Sequence, residues 1–541
     1  MSKVNPTGQL LYFRSSIDGL LQPTAVCATG ATDAPMPVIL IVHPGGNNLE
    51  GCVQDAERIA AFAAAHGEPC VVIRPTGRGK GTVYQNYGEV DLFEALECVA
   101  RHYPIDRDHI SVHGSSMGGA ATFYLLSHYP DVFASGVSFC GYCDYRLWEK
   151  PGGLTLNNQP WEVPSWEARS AALLIDNFRH TPMWLAHGEW DRSVGGGVPV
   201  EHSRQMARLL GDAGFDCRYD ELSKTGHGPF PDELCARVVR WMLRQRKVRR
   251  PEHVTFATYW LRHNRSYWVT INQLRIYGMR ANVDARFKSS TNLIVRTNNV
   301  QILTLGPFEG RRDVGLNLDD DRFEHVDLAT ASQFFRDAQG GWARSDHDLS
   351  GEKSHRCSGP ISDMFFDRLL LVSGTIGSDA DTHFIDKTMR VARGHWANRN
   401  VGVHRGGFHG RIDMDLQHAI DSEVTDDQIA DRNLMLYGNY SSNAVLKRYE
   451  AQLPLAFSQK KVQIFDKTYT GDDVAVFAVM PHPTNPQRYI TILGGATPDA
   501  LCWASHIDMQ LLPDYLVFDR GHVLDWGFWS NQWASPSGIT R

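Results

Sequence analysis

The chain has 541 residues, 42% of them hydrophobic and 21% charged, which is the balance of a soluble globular protein of two or three domains. A formal net charge of -7, with no basic stripe interleaved with aromatics, removes any electrostatic case for nucleic-acid binding. Ten irregularly spaced cysteines exclude a disulfide framework, and no apolar stretch reaches bilayer-spanning length, so no membrane partner is expected.

Met1-Ser2-Lys3-Val4-Asn5-Pro6 lacks the apolar core of a secretory signal, so a cytoplasmic location is the expectation. Leu10 to Cys27 alternate in polarity around Asp18-Gly19 and predict an antiparallel hairpin at a sheet edge. Val38 to Val42 is a continuous apolar run, hence a buried central strand. It ends in His43-Pro44-Gly45-Gly46-Asn47, a loop whose backbone can approach a ligand. Helical periodicity from Asp55 to His66, a strand from Cys70 to Ile73 and a helix from Glu89 to His102 lead to a short apolar run, Ile110 to Val112.

Directly after that run comes His113-Gly114-Ser115-Ser116-Met117-Gly118-Gly119. One serine between two glycines, after a strand and before the Ala-rich helical stretch Ala120 to His128, has the pattern of a nucleophile elbow. Glycines two positions either side of Ser116 remove the side chains that would clash in so sharp a turn. The following helix aims its N-terminal amides at a developing oxyanion. Ser116 is the candidate nucleophile. The Met117 amide is one candidate oxyanion donor, and Gly45 and Gly46 offer the second.

Strands at Ala134 to Phe139, Met183 to Ala186 and Cys217 to Leu222, with helices at Ser203 to Ala213 and Pro231 to Arg246, complete an alternation that predicts a parallel sheet covered on both faces. Gly141 to His180 is an irregular insertion rich in Pro, Asn and Trp. Arg244 to Arg250 is a basic run that reads as a solvated helix end. Past Pro251 the segments turn short, alternating and β-branched, giving a β-rich module over 251–326. A second α/β-type unit follows over 327–541, without a phosphate loop or dinucleotide fingerprint.

A serine hydroxyl needs a base, and the base needs a carboxylate to hold its tautomer. Among 23 histidines, His227 stands in the tight loop Gly226-His227-Gly228 after a strand. Asp191 ends His187-Gly188-Glu189-Trp190-Asp191 after another. The order Ser116, Asp191, His227 is the α/β-hydrolase order. Asp144, also just past a strand, is the rival acid. Cys140 and Cys143 are spaced as a metal or redox pair, but no second pair or histidine cluster accompanies them, so both read as buried free thiols. No metal site and no cofactor is expected.

Residues 10–245 resemble the α/β-hydrolase superfamily, near its prolyl oligopeptidase-like and polyhydroxybutyrate depolymerase or feruloyl esterase-like members. The resemblance rests on His43-Pro-Gly-Gly46, Tyr103-Pro-Ile-Asp106, Ser115-Ser-Met-Gly-Gly119, Tyr129-Pro-Asp-Val-Phe133, His187-Gly-Glu-Trp-Asp191 and Gly226-His-Gly228. It implies Ser116 as nucleophile, Asp191 as acid and His227 as base. It also implies a carboxylic ester substrate, small or polymer-derived, with a peptide bond as the alternative. Peptidases of the prolyl oligopeptidase group usually carry a β-propeller ahead of a domain like this one, which here begins near residue 10. A binding protein that kept the fold and lost turnover would not need all three residues. Trp148, Trp161, Trp166 and Trp190 fall on loops that overhang the site in this fold, and Trp190, beside the acid, is the one expected to line a substrate pocket.

Overall fold

The computed structural model of the chain describes residues 6–30, 33–46, 49–79, 82–150, 153–155, 159–192, 197–398, 416–507 and 511–535. Ten strands occupy the first 222 residues: β1 (Gln9–Arg14), β2 (Leu21–Thr29), β3 (Met36–Val42), β4 (Cys70–Pro75), β5 (Ile105–Ser115), β6 (Ser135–Phe139), the short pair β7 (Trp148–Lys150) and β8 (Gly153–Thr155), β9 (Met183–Gly188) and β10 (Cys217–Leu222). Eight of them form one sheet in the order β1-β2-β4-β3-β5-β6-β9-β10, while β7 and β8 pair only with each other. The hairpin β1–β2 and the β2–β4 pair are antiparallel; every later pair is parallel. This is the α/β-hydrolase fold, with the expected edge hairpin and central strand in place.

The apolar run in β3 is continuous because both of its faces are covered. Val38, Leu40 and Val42 join a core with Leu92 and Leu96 of α2 (Tyr87–Ala100), Phe123 and Leu126 of α3 (Met117–His128) and Met206 of α5 (Glu201–Asp212). Ile39 and Ile41 join the opposite core, with Ala56 and Ile59 of α1 (Leu49–Ala64) and Leu234 and Val238 of α6 (Asp232–Met242). Helix α1 starts at Leu49, ahead of the expected Asp55. Gly51 and the polar residues around it mask the apolar period there, although Cys52 is fully buried. The expected insertion contains the β7–β8 hairpin, α4 (Val163–Arg169) and two 3₁₀ turns.

Two five-stranded sheets follow, and one of them extends past the boundary expected at 326. Ser332–Arg336 and Trp342–Ser345 pair in sequence onto Val300–Leu305, which pairs with Val269–Leu274. Phe334 and Trp342 belong to the same apolar core as Val254 and Ile271. Polar Gln333 and Arg336 around Phe334 hide the strand in the sequence. The last unit is a seven-stranded mixed sheet in which Leu369–Ser373, Asn433–Tyr437 and Asn485–Gly495 are successive parallel neighbours. Helix Asp379–Asn398 accompanies it, with a short helix at Ala444–Lys447. Among the described residues no helix is long and apolar enough to cross a membrane.

The units are sewn together by buried polar groups. Asn177, in the insertion, donates from Nδ2 to the carbonyls of Ser127 (2.5 Å) and Ala257 (2.8 Å), and its Oδ1 accepts from the Ala257 N–H at 2.7 Å. Arg262 makes a two-pronged ion pair with Asp363 at 2.7 and 2.9 Å. Ile17 and Tyr87 of the hydrolase unit lie in the apolar core of the C-terminal sheet. Asn177→Ala strands three buried backbone groups, so we expect it to destabilise the protein by about 3 kcal/mol, at roughly 1 kcal/mol per unpaired group. A fall in the urea midpoint at unchanged slope measures this; an unchanged midpoint would show that the seam contributes nothing.

Candidate active site

Ser116 is the residue between β5 and α3, with φ 58° and ψ -119°, a conformation that a non-glycine residue holds only when its surroundings impose it. Its N–H donates to the Phe139 carbonyl of β6 at 2.8 Å. The flanking glycines are sterically required: a Cβ on Gly114 would collide with the Gly118 carbonyl, and one on Gly118 with the Val42 carbonyl of β3. The turn thereby sits hard against the end of the neighbouring strand.

His227 and Asp191 come to this serine from the ends of β10 and β9. His227 Nε2 lies 2.8 Å from Ser116 Oγ, and His227 Nδ1 lies 2.6 Å from Asp191 Oδ2. The two loops are bound to each other, since the Trp190 N–H donates to the Thr225 carbonyl at 2.9 Å and a Cβ on Gly188 would strike the Gly226 carbonyl. Asp144 is elsewhere. It is buried, and its two oxygens accept from Arg146 Nε and Nη2 at 3.0 and 2.8 Å.

Asp191 is held by more than the expected partner. His187, at the end of β9, places Nε2 3.0 Å from Asp191 Oδ2, while its Nδ1 meets Ser203 Oγ at 2.7 Å. The Val198 N–H donates to Asp191 Oδ1 at 3.1 Å, an approach that a side chain on Gly197 would block. Burial would raise the pKa of Asp191, but the hydrogen bonds from His187 and His227 outweigh it and hold the carboxyl below its ordinary range. For His227 burial opposes charge, and the Asp191 bond, with the Cys140 thiol acting in the same direction, overrides it and lifts the imidazole to about 10. Two residues of this surround escaped the sequence reading. His187 had a signal, four positions ahead of Asp191 at a strand end; Cys140 was read with Cys143 as a buried free thiol, and only its place after β6 points to the triad.

The oxyanion candidates sit where strand pairing puts them. Val42 is opposite Gly114 in the β3–β5 ladder, so Gly45 and Gly46 leave the sheet beside the serine turn, and Met117 is the first residue of α3. Gly46 has φ 88°, and a Cβ there would meet nothing, so its backbone is open on that side. His43, buried and pushed down to about 4 by desolvation, is a neutral ring, and the backbone N–H of His43 donates to Tyr84 Oη at 3.2 Å. Of the tryptophans, Trp190 is 59% exposed beside Asp191. Trp166 is buried and stacked on Tyr145, and Trp161 packs against the C-terminal core. The side chain of Trp148 lies outside the described residues. The ten cysteines are all free, and Cys143 donates to the His202 carbonyl at 3.2 Å, away from Cys140's neighbours.

A serine on a strained turn between strand and helix, at the C-terminal end of an interior strand of an eight-stranded sheet in this order, is the arrangement of α/β-hydrolase-fold serine hydrolases. Residues 71–248 match the prolyl oligopeptidase family. The chain is 26% identical over 226 residues to an uncharacterized secreted protein of Arthroderma benhamiae, covering 38% of this chain and 23% of that one. It is 29% identical over 235 residues to an Arabidopsis thaliana protein named "Probable glutamyl endopeptidase, chloroplastic", covering 39% and 24%. The chain therefore spans about a quarter of the length of these curated relatives. Among solved structures it is similar to fluorophosphonate-binding serine hydrolase F of Staphylococcus aureus, at 16% identity and TM-score 0.36, over 44% of this chain and 99% of that one.

The electrostatics yield a test that needs no substrate. The His227 imidazole should titrate by NMR on the alkaline side of pH 7, and Asp191→Asn should bring it down toward an ordinary histidine, since the carboxylate is what favours the charged ring. Asp144→Asn should leave it in place. A wild-type His227 titrating near 6.5 would contradict the geometry-based account.

Proposed function

We propose that the protein is a serine hydrolase that cleaves carboxylic esters through an acyl-enzyme, with Ser116 as nucleophile, His227 as general base and acid, and Asp191 as the residue that orients His227. The observation that carries this reading is the unbroken chain from Ser116 Oγ to His227 Nε2 at 2.8 Å and from His227 Nδ1 to Asp191 at 2.6 Å. In this reading His227 takes the serine proton as Ser116 attacks the acyl carbon, and Asp191 holds the resulting imidazolium. The amides of Met117 and of Gly45 or Gly46 stabilise the oxyanion. The imidazolium then protonates the leaving group, and water repeats the sequence to free the acid.

The choice of ester rests on the base. An ester makes the smaller demand on the proton that the imidazolium has to return to the leaving group. An aryloxide leaves without that proton, whereas an amine has to receive it. Peptide cleavage is the second reading, favoured by the prolyl oligopeptidase match over 71–248 and by the peptidase name of the Arabidopsis relative. Trp190 lines the acyl or alcohol subsite in either reading.

Four measurements test it. Ser116→Ala should fold and lose all labelling by a fluorophosphonate probe, and labelling that persists in this variant would sink the assignment. Asp191→Asn should lower kcat about 10,000-fold, the loss seen in the serine-protease template, with Asp144→Asn far milder. Because only the neutral imidazole is a base, kcat/KM on an aryl acetate should rise with pH through the raised His227 pKa. A matched aryl ester and anilide with one acyl group decide between the readings: a faster anilide, with chemistry rate-limiting on both, would make the protein a peptidase.

A further inference from the structure

One thiol stands in the site and takes no part in the steps above. Cys140 directly follows β6, is 1% exposed and has φ 43°, a left-handed conformation rare outside glycine. Its N–H donates to the Ala186 carbonyl of β9 at 2.9 Å. Gly141 after it is pressed against Gly119 in the first turn of α3, where any Cβ would collide. Held from both sides, the backbone delivers the thiol to the triad. One donor atom each from Cys140, Asp191 and His227 lie within 4.8 Å of one another, the one such three-donor group among the described residues. The cluster is reached through His227, whose side chain is 32% exposed while that of Asp191 is 1%.

We propose that Cys140, Asp191 and His227 bind a thiophilic divalent cation, Zn²⁺ above all, and that its binding switches off Ser116. The inhibitory half of this rests on the triad reading; the metal site does not. Thiolate, imidazole and carboxylate together are a zinc donor set, and three protein ligands leave a fourth position for water. Zinc bonds of roughly 2.0 to 2.3 Å place tetrahedral donors about 3.5 Å apart. The Asp191–His227 pair must therefore open from 2.6 Å, while Cys140, whose sulfur lies within 4.8 Å of both, has at most about 1.3 Å to close. The thiol releases its proton to water as the S–Zn bond forms, a charged His227 ring likewise gives up the proton of the nitrogen that binds, and nothing is oxidised or reduced.

Inhibition follows from how the ring is used. At rest Nδ1 is bonded to Asp191 and Nε2 to Ser116. A cation that takes either nitrogen breaks one of these links, so Ser116 loses either its base or the group that orients the base. The ion is thus a competitor of the catalytic proton and contributes no Lewis acid to the reaction.

The test uses the full chain, stripped with a chelator and then titrated with Co²⁺ as a spectroscopic substitute and with Zn²⁺ for turnover of an aryl acetate. Wild type and Ser116→Ala should both show a thiolate-to-cobalt charge-transfer band that saturates at one equivalent. Zinc should inhibit the wild type, and EDTA should restore it. Cys140→Ser should lose the band and need at least roughly 10- to 100-fold more zinc for half-inhibition of its own turnover, the loss expected even for an outer partner. Cys140→Ala serves the same purpose if the serine variant does not fold. A band that survives both substitutions, or half-inhibition at an unchanged zinc concentration, would overturn the site. Cobalt binding at Cys140 in a protein that turns over neither ester nor amide would sink the hydrolase reading and leave the metal site standing.

Discussion

The constraint on which the site depends is the crossing of the serine turn over the end of β3. The Val42 carbonyl occupies the space a Cβ on Gly118 would need, and the Gly118 carbonyl occupies the space a Cβ on Gly114 would need. Two glycines let the backbones meet, and the meeting fixes both the strained φ of Ser116 and the departure of the Gly45-Gly46 loop beside it. Such a conformation costs of order 1–3 kcal/mol, which the surrounding sheet must absorb. The Ser116 N–H bond to Phe139 and the wholly buried residues of α3 show how: the turn is fastened to β6 on one side and driven into the apolar core on the other.

Asp191 shows the same logic in electrostatics. Its carboxylate is buried, which alone favours protonation, yet it accepts from two histidines and from the Val198 N–H. His187 is in turn positioned by Ser203, so the acid is oriented by a relay of its own before it orients His227. Removing His187 would leave a buried carboxylate with one imidazole partner, raise its pKa and weaken the hold on His227.

How much of this the sequence displays depends on the range of each interaction. The elbow, the strand alternation and the order of Ser116, Asp191 and His227 are legible because each is carried by a short motif at a strand end. Their convergence needs the sheet order. That order is readable only through resemblance, because periodicity does not say that β4 lies between β2 and β3. Asp144 and Asp191 look alike in sequence, both just past a strand; Arg146, two positions on, is the local feature that takes Asp144 out of contention. Cys140 has a pattern only with Cys143, and that spacing says nothing of its place beside His227. Its φ is set by partners in β9 and α3, distant in sequence, and the second β-sheet runs on to Ser345 through polar residues that mask Phe334.

The C-terminal half bears on the site through α3. Glu89 of α2 is buried and accepts from Tyr124 Oη at 2.8 Å and from Tyr129 Oη, at the far end of α3, while His263 of the β-rich module brings Nε2 within 3.1 and 3.2 Å of both its oxygens. The helix whose first turn carries the candidate oxyanion amide is therefore anchored at its last turn to residues beyond 250. Losing His263 would remove a donor from a carboxylate that cannot reach water, and the two tyrosines would then have to hold Glu89 alone. Ile17 and Tyr87 carry the same dependence in apolar form, since both complete the core of the C-terminal sheet. His263 and the apolar core of the C-terminal sheet thus brace the elements that carry the strained serine turn, whether or not any of their side chains meets a substrate.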